Sequence, residues 1–193
     1  MSSTTVPPAA APLTRRRAAE QPAAEEVNDA GTLRNAIAPL HEAAFCWALR
    51  CCDGDRDAAE ETVQASYLKV LTGRARFAGR SSVKTWLFAV VRRTAGEQRR
   101  RARWRRLALA LMAARTAPPP PAPAAEAGLE AAQLRHALAH LPRRQREILH
   151  LVFYDDLTIE EAASVAGVSL GTARTHYARG KVALRRLVAE RNR

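Results

Sequence analysis

This sequence lacks the features on which several large classes of protein depend. Its three cysteines, Cys46, Cys51 and Cys52, are too few and too close together for a disulfide framework. His41 lies nearby and would allow a metal site, but Cys51 continues an apolar stripe, so we interpret the cysteines as small hydrophobic residues. No Gly-rich phosphate loop, metal-ligand cluster or nucleophile beside a base appears, so we predict neither a cofactor nor an enzyme.

Long apolar runs and strand-like alternation are also absent. The longest apolar runs are far shorter than the roughly 20 residues that cross a bilayer, and no secretory signal is present. We therefore expect a cytoplasmic protein without membrane insertion. Aromatic residues make up only 5% of the chain, and much of its 47% apolar content is alanine, which favours helices. The sequence predicts an all-α fold.

Basic residues, in contrast, are abundant. The chain has 31 Lys and Arg against 19 Asp and Glu, a net charge of +12, which favours a polyanionic partner. Eight arginines and one glutamate lie between Arg92 and Arg106, around Trp104. Basic side chains interleaved with aromatic rings suit a nucleic-acid strand whose bases can stack on them. The alternative for this run is a solvated helix end or a generic nucleic-acid patch.

Near the C-terminus, two helices joined by a tight turn are predicted. Thr158 and Glu161 form the pattern of a capping box at the start of a short helix that ends at Ala166. Gly167 allows a positive φ, and Ser169 can cap a longer helix running to about residue 188. This arrangement is a helix-turn-helix.

The longer of these two helices has two distinct faces. Leu170, Ala173, Tyr177, Leu184 and Leu187 share one stripe and are predicted to be buried. The opposite face has small residues, which permit close approach to a surface, and arginines, which can donate to guanine edges or phosphates. Its members are Gly171, Arg174, Thr175, Ala178, Arg179 and Lys181. An ordinary helical hairpin with a solvated basic face is the alternative.

In the first part of the chain, three amphipathic helices are predicted. Leu33, Ile37, Leu40, Ala44, Trp47 and Cys51 recur at helical spacing, with Pro39 kinking or restarting the helix. Asp57 with Glu60 is read as a second capping box, opening a helix through Leu71. A loop over 73–82 follows, and Ser81 or Ser82 caps a third helix with Val83, Trp86 or Leu87, and Val90 or Val91 buried.

Composition divides the chain into four segments. Residues 1–30 lack periodicity and read as a disordered tail. A helical domain is predicted over 31–106 and a second over 126–193. Between them, 107–125 is predicted to be a linker, because five prolines between 117 and 125 favour extended geometry.

Two sets of motifs resemble the bacterial RNA polymerase sigma factors, in particular the extracytoplasmic-function (ECF) group. The first runs from Leu141 to Leu149, from Leu157 to Ala163 and from Gly167 to Thr175, and is similar to the fourth conserved region. In that family the second helix of the helix-turn-helix reads the upstream (−35) promoter element. The resemblance implies the same role for the exposed face of the longer helix, with Ser169 and Thr172 added to it.

The second set is similar to the second conserved region of the same family. Residues 58–64 and 67–71 match the helix that docks on core RNA polymerase, and residues 77–82, 85–88 and 92–93 match the part that opens and reads the downstream (−10) element. The implied polymerase-binding residues are Asp57, Glu60, Glu61, Gln64, Tyr67 and Lys69. The implied downstream-element residues are Phe77, Arg80, Ser81, Ser82, Lys84, Trp86, Arg92 and Arg93.

The resemblance implies a promoter-specificity subunit whose partners are core RNA polymerase and promoter DNA. It also implies an anti-sigma factor as a further partner, and a chain that is monomeric when free or held by that factor. Two alternatives remain open. A stand-alone helix-turn-helix regulator would leave the first half of the chain unexplained, and an RNA-binding or antitermination protein would use the arginine run.

Overall fold

The computed structural model describes residues 30–112 and 140–191, and all of its regular elements in these ranges are helical. The N-terminal half contains α1 (Ala30–Ile37), α2 (His41–Cys51), α3 (Arg56–Leu71) and α4 (Val83–Met112), and the C-terminal half contains α5 (Arg143–Phe153), α6 (Ile159–Ala166) and α7 (Leu170–Arg191). The predicted all-α class is confirmed. None of the described helices is both long and apolar enough to cross a membrane. The predicted tail up to residue 29 and the prolines of 117–125 lie outside the described residues.

The predicted apolar stripe of the first helices forms the centre of the N-terminal half. Leu33 and Ile37 of α1 and Trp47 and Cys51 of α2 are buried, and a 3-10 turn at Ala38–Leu40 containing Pro39 separates the two helices. The indole Nε1 of Trp47 donates to the carbonyl oxygen of Phe88 in α4 at 3.1 Å. This hydrogen bond satisfies the polar atom of a fully buried ring and fixes α2 against α4.

The start of α3 differs from the prediction. Asp55, not Asp57, is the N-cap: its backbone is extended, with φ −71° and ψ 112°, and its carboxylate accepts from the backbone N–H of Ala58 at 3.0 Å. The predicted capping box of Asp57 and Glu60 is therefore wrong. Asp53 and Gly54, with φ of 56° and 92°, end the preceding turn in left-handed conformations, so the helix can begin directly after Asp55.

Helix α4 is longer than predicted. Ser82 caps it by accepting from the N–H of Thr85 at 3.1 Å, and Leu87, Val91 and Ala95 are buried along its first four turns. Beyond these turns the helix continues through the arginine run to Met112. The predicted linker of 107–125 therefore begins too early, since residues 107–112 are helical. Straight-chain arginine and alanine favour the helix even where few apolar contacts support it.

The helix-turn-helix forms as predicted. Thr158 accepts from the N–H of Glu161 at 3.1 Å, and the Glu161 carboxylate accepts in return from the N–H of Thr158 at 2.9 Å. Gly167 has φ 61°, and the Ser169 hydroxyl accepts from the N–H of Thr172 at 3.2 Å. Capping at both ends of a short turn fixes the angle between α6 and α7.

The two halves pack against each other. Helix α4 lies on α6, and the ring of His150 from α5 stacks on Trp47 with centroids 5.7 Å apart. Apolar residues of both halves belong to one continuous buried cluster. The division of the chain into two domains joined by a linker stays a prediction. In the described structure the halves share a core.

Candidate nucleic-acid interface

The predicted upstream-reading residues share one open face of α7. All are exposed except Lys181, whose Nζ lies 5.2 Å from the centre of the Tyr177 ring. A Cβ added at Gly171 would have no atom within 4 Å. The set comprises Ser169, Gly171, Thr172, Arg174, Thr175, Ala178, Arg179 and Lys181. The face has small residues at its centre and the guanidinium groups of arginines beside them, as close approach to a DNA groove requires.

The opposite face of α7 explains why this set points outward. Ala173 is fully buried, and Tyr177, Leu184 and Leu187 pack against Leu141 and Leu149. Gly180 is also buried, and a Cβ there would lie 2.9 Å from Cδ1 of Leu149. Sequence reasoning missed this second glycine, because the local pattern does not show how closely α5 approaches.

The predicted downstream-reading residues divide into three groups. Arg80 and Arg93 are exposed, and Ser81, Ser82 and Trp86 are half-buried at the rim of the loop that precedes α4. These five side chains have an accessible edge from which a strand could be contacted.

Phe77 requires a correction. Its ring is only 3% exposed and meets Trp86 edge-to-face, with centroids 5.4 Å apart. A buried ring cannot stack on a base without leaving the core, so Phe77 supports Trp86 and does not itself contact DNA.

Lys84 and Arg92 form the third group and are engaged by the C-terminal half. The Nζ of Lys84 donates to the carbonyl oxygen of Asp155 at 2.6 Å. The guanidinium of Arg92 donates to Oε2 of Glu147 through Nη2 at 3.3 Å and Nε at 3.4 Å. Both side chains are half-buried in this arrangement.

The predicted polymerase-binding residues lie along α3. Asp57, Glu60, Glu61 and Gln64 are exposed on this helix. Two further members are held inside the N-terminal half. Tyr67 is hydrogen-bonded to Nδ1 of His41 at 3.2 Å, and Lys69 donates to Glu97 at 2.6 Å. That bond from the ammonium group lowers the pKa of the Glu97 carboxyl.

An apolar component lies beside α3, of which sequence reasoning had singled out Trp104 in the arginine run but had missed Leu68. Leu68 is 61% exposed, and Trp104 of α4 is 69% exposed at the mouth of a groove of about 580 Å³ between the two helices. Glu61 and Lys69 also line this groove. The sequence does not show whether a neighbouring element covers a single leucine on an amphipathic helix, so Leu68 could not be recognised as exposed. Trp104 is conspicuous in the sequence because arginines surround it.

A buried polar cluster lies where the halves meet. His150 Nε2 and Asp155 Oδ2 are 3.6 Å apart. Desolvation, aided by nearby Arg50, lowers the pKa of His150 from 6.5 to about 4. Desolvation raises the pKa of Asp155 from 3.8 to about 6. At neutral pH His150 is therefore uncharged, and its proximity to Asp155 is a packing contact, not an ion pair.

Metal-binding geometry is not found in the part of the chain that the structure describes. There, no three His, Cys, Asp or Glu side chains come together to hold an ion, and the three cysteines are free thiols. Burial raises the pKa of the Cys51 thiol, which disfavours the reactive thiolate.

Comparison with known families finds matches in both halves of the chain. The profile of Sigma-70 region 2 matches residues 40–105, and that of Sigma-70 region 4 matches residues 131–184. The chain is 31% identical over 131 residues to the ECF RNA polymerase sigma factor EcfG of Rhodopseudomonas palustris, with 67% of this chain and 71% of that protein covered. It is 30% identical over 139 residues to the ECF RNA polymerase sigma factor SigC of Mycobacterium tuberculosis, with 72% and 74% covered.

A solved structure shares the fold. The sigma factor RpoE of Bartonella quintana, crystallised with the anti-sigma factor NepR, superposes with a TM-score of 0.63 at 24% identity. The match covers 81% of this chain and 96% of the other. The helical architecture and its order along the chain are therefore common to both proteins.

Proposed function

We propose that three surfaces of this chain perform separate parts of its task. The chain belongs to the ECF group of the sigma-70 family of RNA polymerase sigma factors. A sigma factor is a transcription initiation factor, and this one directs core RNA polymerase to promoters of the −10/−35 type. The proposal concerns which residues perform each part of that task.

The open face of α7 is assigned to the upstream element. Its exposed small residues allow the helix to enter a major groove, and Arg174 and Arg179 supply donors for base edges or phosphates. Phosphate contacts give affinity and base contacts give selectivity. This face is the observation that carries the proposal, because it has the composition and the accessibility that reading duplex DNA requires.

The downstream element is assigned to the loop before α4 and the first turns of that helix. Trp86 packs on the buried Phe77 and keeps part of its ring accessible, and Arg80 and Arg93 of the same set are exposed. Stacking of an unpaired base on an aromatic side chain contributes roughly 1–3 kcal/mol, which offsets part of the cost of strand separation.

Docking on core polymerase is assigned to the exposed side of α3, with Asp57, Glu60, Glu61 and Gln64. We add Leu68 and Trp104, because an exposed leucine and an exposed indole beside polar residues have the composition of an interface centre. Lys69 takes part from within the groove, and Tyr67 from the side of α3 that meets His41. The proposed factor has no catalytic activity of its own, acts in the cytoplasm, and is monomeric until it binds polymerase or an anti-sigma factor.

Replacing Glu60, Glu61 and Gln64 together by alanine tests the docking assignment. We expect affinity for purified core polymerase to fall by roughly tenfold or more, since these side chains share one exposed surface. The measurement is a binding titration with labelled full-length chain, and circular dichroism confirms folding. Glu42→Ala, an exposed carboxylate on α2, is the matched control and should bind as the wild type does. Equal affinity for the triple variant and the control would remove α3 from the docking surface.

A further inference from the structure

A cavity bounded by α4, α5 and α6 is lined mainly by arginines. Its volume is about 410 Å³, which is within the range of small-molecule sites. Among the described residues that line it, the charged ones are six arginines and the carboxylate of Glu147, a formal excess of five positive charges. The arginines are Arg92, Arg93, Arg99 and Arg100 of α4 and Arg143 and Arg144 of α5.

Glu147 holds three of these arginines in place without neutralising them all. Its side chain is buried, with 8% of the residue exposed. The carboxylate accepts from Arg92 at 3.3 Å, and from Arg143 and Arg144 at 3.2 Å and 3.0 Å. Each guanidinium has five N–H donors, so several donors on each remain for a ligand. Because the guanidinium groups are already fixed in position, an anion that binds them pays less for ordering them.

The other arginines add positive charge that no carboxylate balances closely. Arg93 and Arg100 are exposed, and neither forms an ion pair with another residue of the described ranges. Arg99 donates to the carbonyl oxygen of Cys51 at 2.5 Å, which fixes its direction without adding a negative charge. Guanidinium groups held around one space repel each other, and an anion in that space would relieve the repulsion.

Gly96 leaves room beside these charges. It lies within α4, where glycine disfavours the helix relative to alanine, and its φ is not positive. A Cβ there would lie 3.8 Å from Nη1 of Arg100 and would occupy part of the space beside that guanidinium. The glycine is therefore explained by the cavity and not by the backbone of the helix.

The lining favours phosphate groups over other parts of a ligand. Ala89 and Val165 are apolar, but none of the described lining residues is aromatic, so a nucleobase would find no ring on which to stack. A single phosphate would meet only a few of the guanidinium groups, whereas linked phosphates could bond to groups of both α4 and α5. A recess bounded by three helices suits a compact anion better than a nucleic-acid strand, which follows an extended groove.

We propose that this cavity binds a short chain of linked phosphates, either as inorganic polyphosphate or as the phosphate end of a nucleotide. Arg100 of α4 and Arg144 of α5 donate to its oxygens from opposite sides, and the other arginines supply charge. Neither of these two residues belongs to the surfaces assigned above to DNA or polymerase. The site is therefore independent of those assignments.

Titration calorimetry of the full-length chain with sodium tripolyphosphate, in magnesium-free buffer, tests the proposal. We expect one site per chain and an affinity roughly tenfold or more above that for orthophosphate, because linked phosphates engage several guanidinium groups at once. Arg100→Gln combined with Arg144→Gln removes a guanidinium from each side and should weaken tripolyphosphate binding by roughly tenfold or more. The matched control combines Arg74→Gln with Arg103→Gln, two exposed arginines outside the cavity, and should bind within about twofold of the wild type.

Glu147→Gln should have the opposite effect. It removes the one carboxylate among the described lining residues, so tripolyphosphate should bind severalfold more tightly. Circular dichroism checks the folding of every variant. Where Glu147→Gln does not fold, the comparison of the two arginine pairs decides.

ATP is titrated alongside tripolyphosphate to identify the source of the phosphate chain. ATP binding at least as tight as that of tripolyphosphate shows that the site accepts a nucleotide, whereas much weaker ATP binding identifies free polyphosphate. Both results support the cavity as a polyphosphate site.

The proposal is overturned if tripolyphosphate binding does not saturate, or if both arginine pairs lower the affinity equally, since net charge alone would then explain the attraction. A mixed-sequence single-stranded oligonucleotide gives a further comparison. If the pair Arg100→Gln and Arg144→Gln weakens binding of the oligonucleotide but not of tripolyphosphate, these arginines belong to a nucleic-acid surface and the proposal is wrong.

Discussion

At the scale of single residues, Arg174 and Arg179 carry the most specific prediction. Both are exposed on the α7 face assigned to the upstream element. Replacing a base-reading arginine by alanine should cost about 1–3 kcal/mol and relax sequence preference at one position. The measurement is binding of holoenzyme carrying each variant to a promoter and to its single-base substitutions.

Arginine-to-lysine variants at the same two positions are the controls. Lysine keeps the charge but not the planar fork, so a base-reading arginine should be poorly replaced and a phosphate-binding one well replaced. An equal loss on every promoter sequence would assign that arginine to the DNA backbone. Wild-type binding by the alanine variant would remove it from the interface.

The buried pair of His150 and Asp155 predicts an unusual pH dependence of stability. Burial raises the pKa of Asp155 to about 6 in the folded protein, against 3.8 in the unfolded chain. The stabilisation that results is fully present below pH 3.8 and is lost as the pH rises through 6. Burial lowers the pKa of His150 to about 4 in the folded protein, against 6.5 in the unfolded chain. The stabilisation that results is fully present above pH 6.5 and is lost as the pH falls toward 4. The two effects oppose each other between pH 4 and 6.

Asp155→Asn should remove one of these effects. Its free energy of unfolding, relative to the wild type, should then rise with pH between about 4 and 6, by up to about 1.4 kcal/mol per pH unit. Denaturant titrations at a series of pH values measure this difference, and His150→Gln should change the slope in the opposite sense. Parallel profiles for all three proteins would show that neither group is perturbed by burial.

At the scale of helices and turns, the ends of elements were predictable where the chemistry is local. Thr158 with Glu161, Gly167 and Ser169 lie within one turn of the groups they cap, so sequence spacing alone predicts their bonds. Asp55 and Asp57 show where this fails. Either residue can cap a helix, and the left-handed turn at Asp53 and Gly54 places Asp55 at the N-cap. The end of α4 was misplaced for a related reason, because alanine and arginine sustain a helix without an apolar stripe.

A matched pair of glycines in α7 tests how closely this helix approaches α5. A Cβ at Gly180 would lie 2.9 Å from Leu149, whereas one at Gly171 would meet open space. Both alanine variants gain helix propensity, but only Gly180→Ala overpacks the core, so it should be less stable than Gly171→Ala by about 1–3 kcal/mol. Thermal unfolding of the two variants measures the difference. Equal stability would mean that Leu149 moves away without cost.

At the scale of the whole molecule, the sequence predicted the components but not their arrangement. Lys84 and Asp155 are 71 residues apart in the chain, and Thr85 and Glu161 are 76 apart. Periodicity describes which side of a helix is apolar, but not which other helix covers it. Trp47 was correctly predicted to be buried, yet nothing in its neighbourhood indicates that His150 stacks on it. The function could be predicted from the sequence although the packing of the halves could not, because the motifs that indicate the function are local patterns.

The predicted linker gives a physical reason for dependence on polymerase. Two reading surfaces on halves joined by such a linker lose conformational freedom when both engage DNA. A core enzyme that fixes their separation makes the second contact effectively intramolecular. Free protein should therefore bind promoter DNA weakly and with a steep salt dependence, since its arginines mainly displace counterions from phosphates.

Run-off transcription with purified core polymerase, full-length chain and promoter template tests the central claim most directly, alongside gel-shift titration of the free chain at two salt concentrations. We predict transcripts from one defined start site only when both proteins are present, and weak, salt-sensitive binding by the free chain. Tight, salt-resistant, sequence-specific binding by the free chain, with no effect on start-site choice when core enzyme is added, would contradict this account.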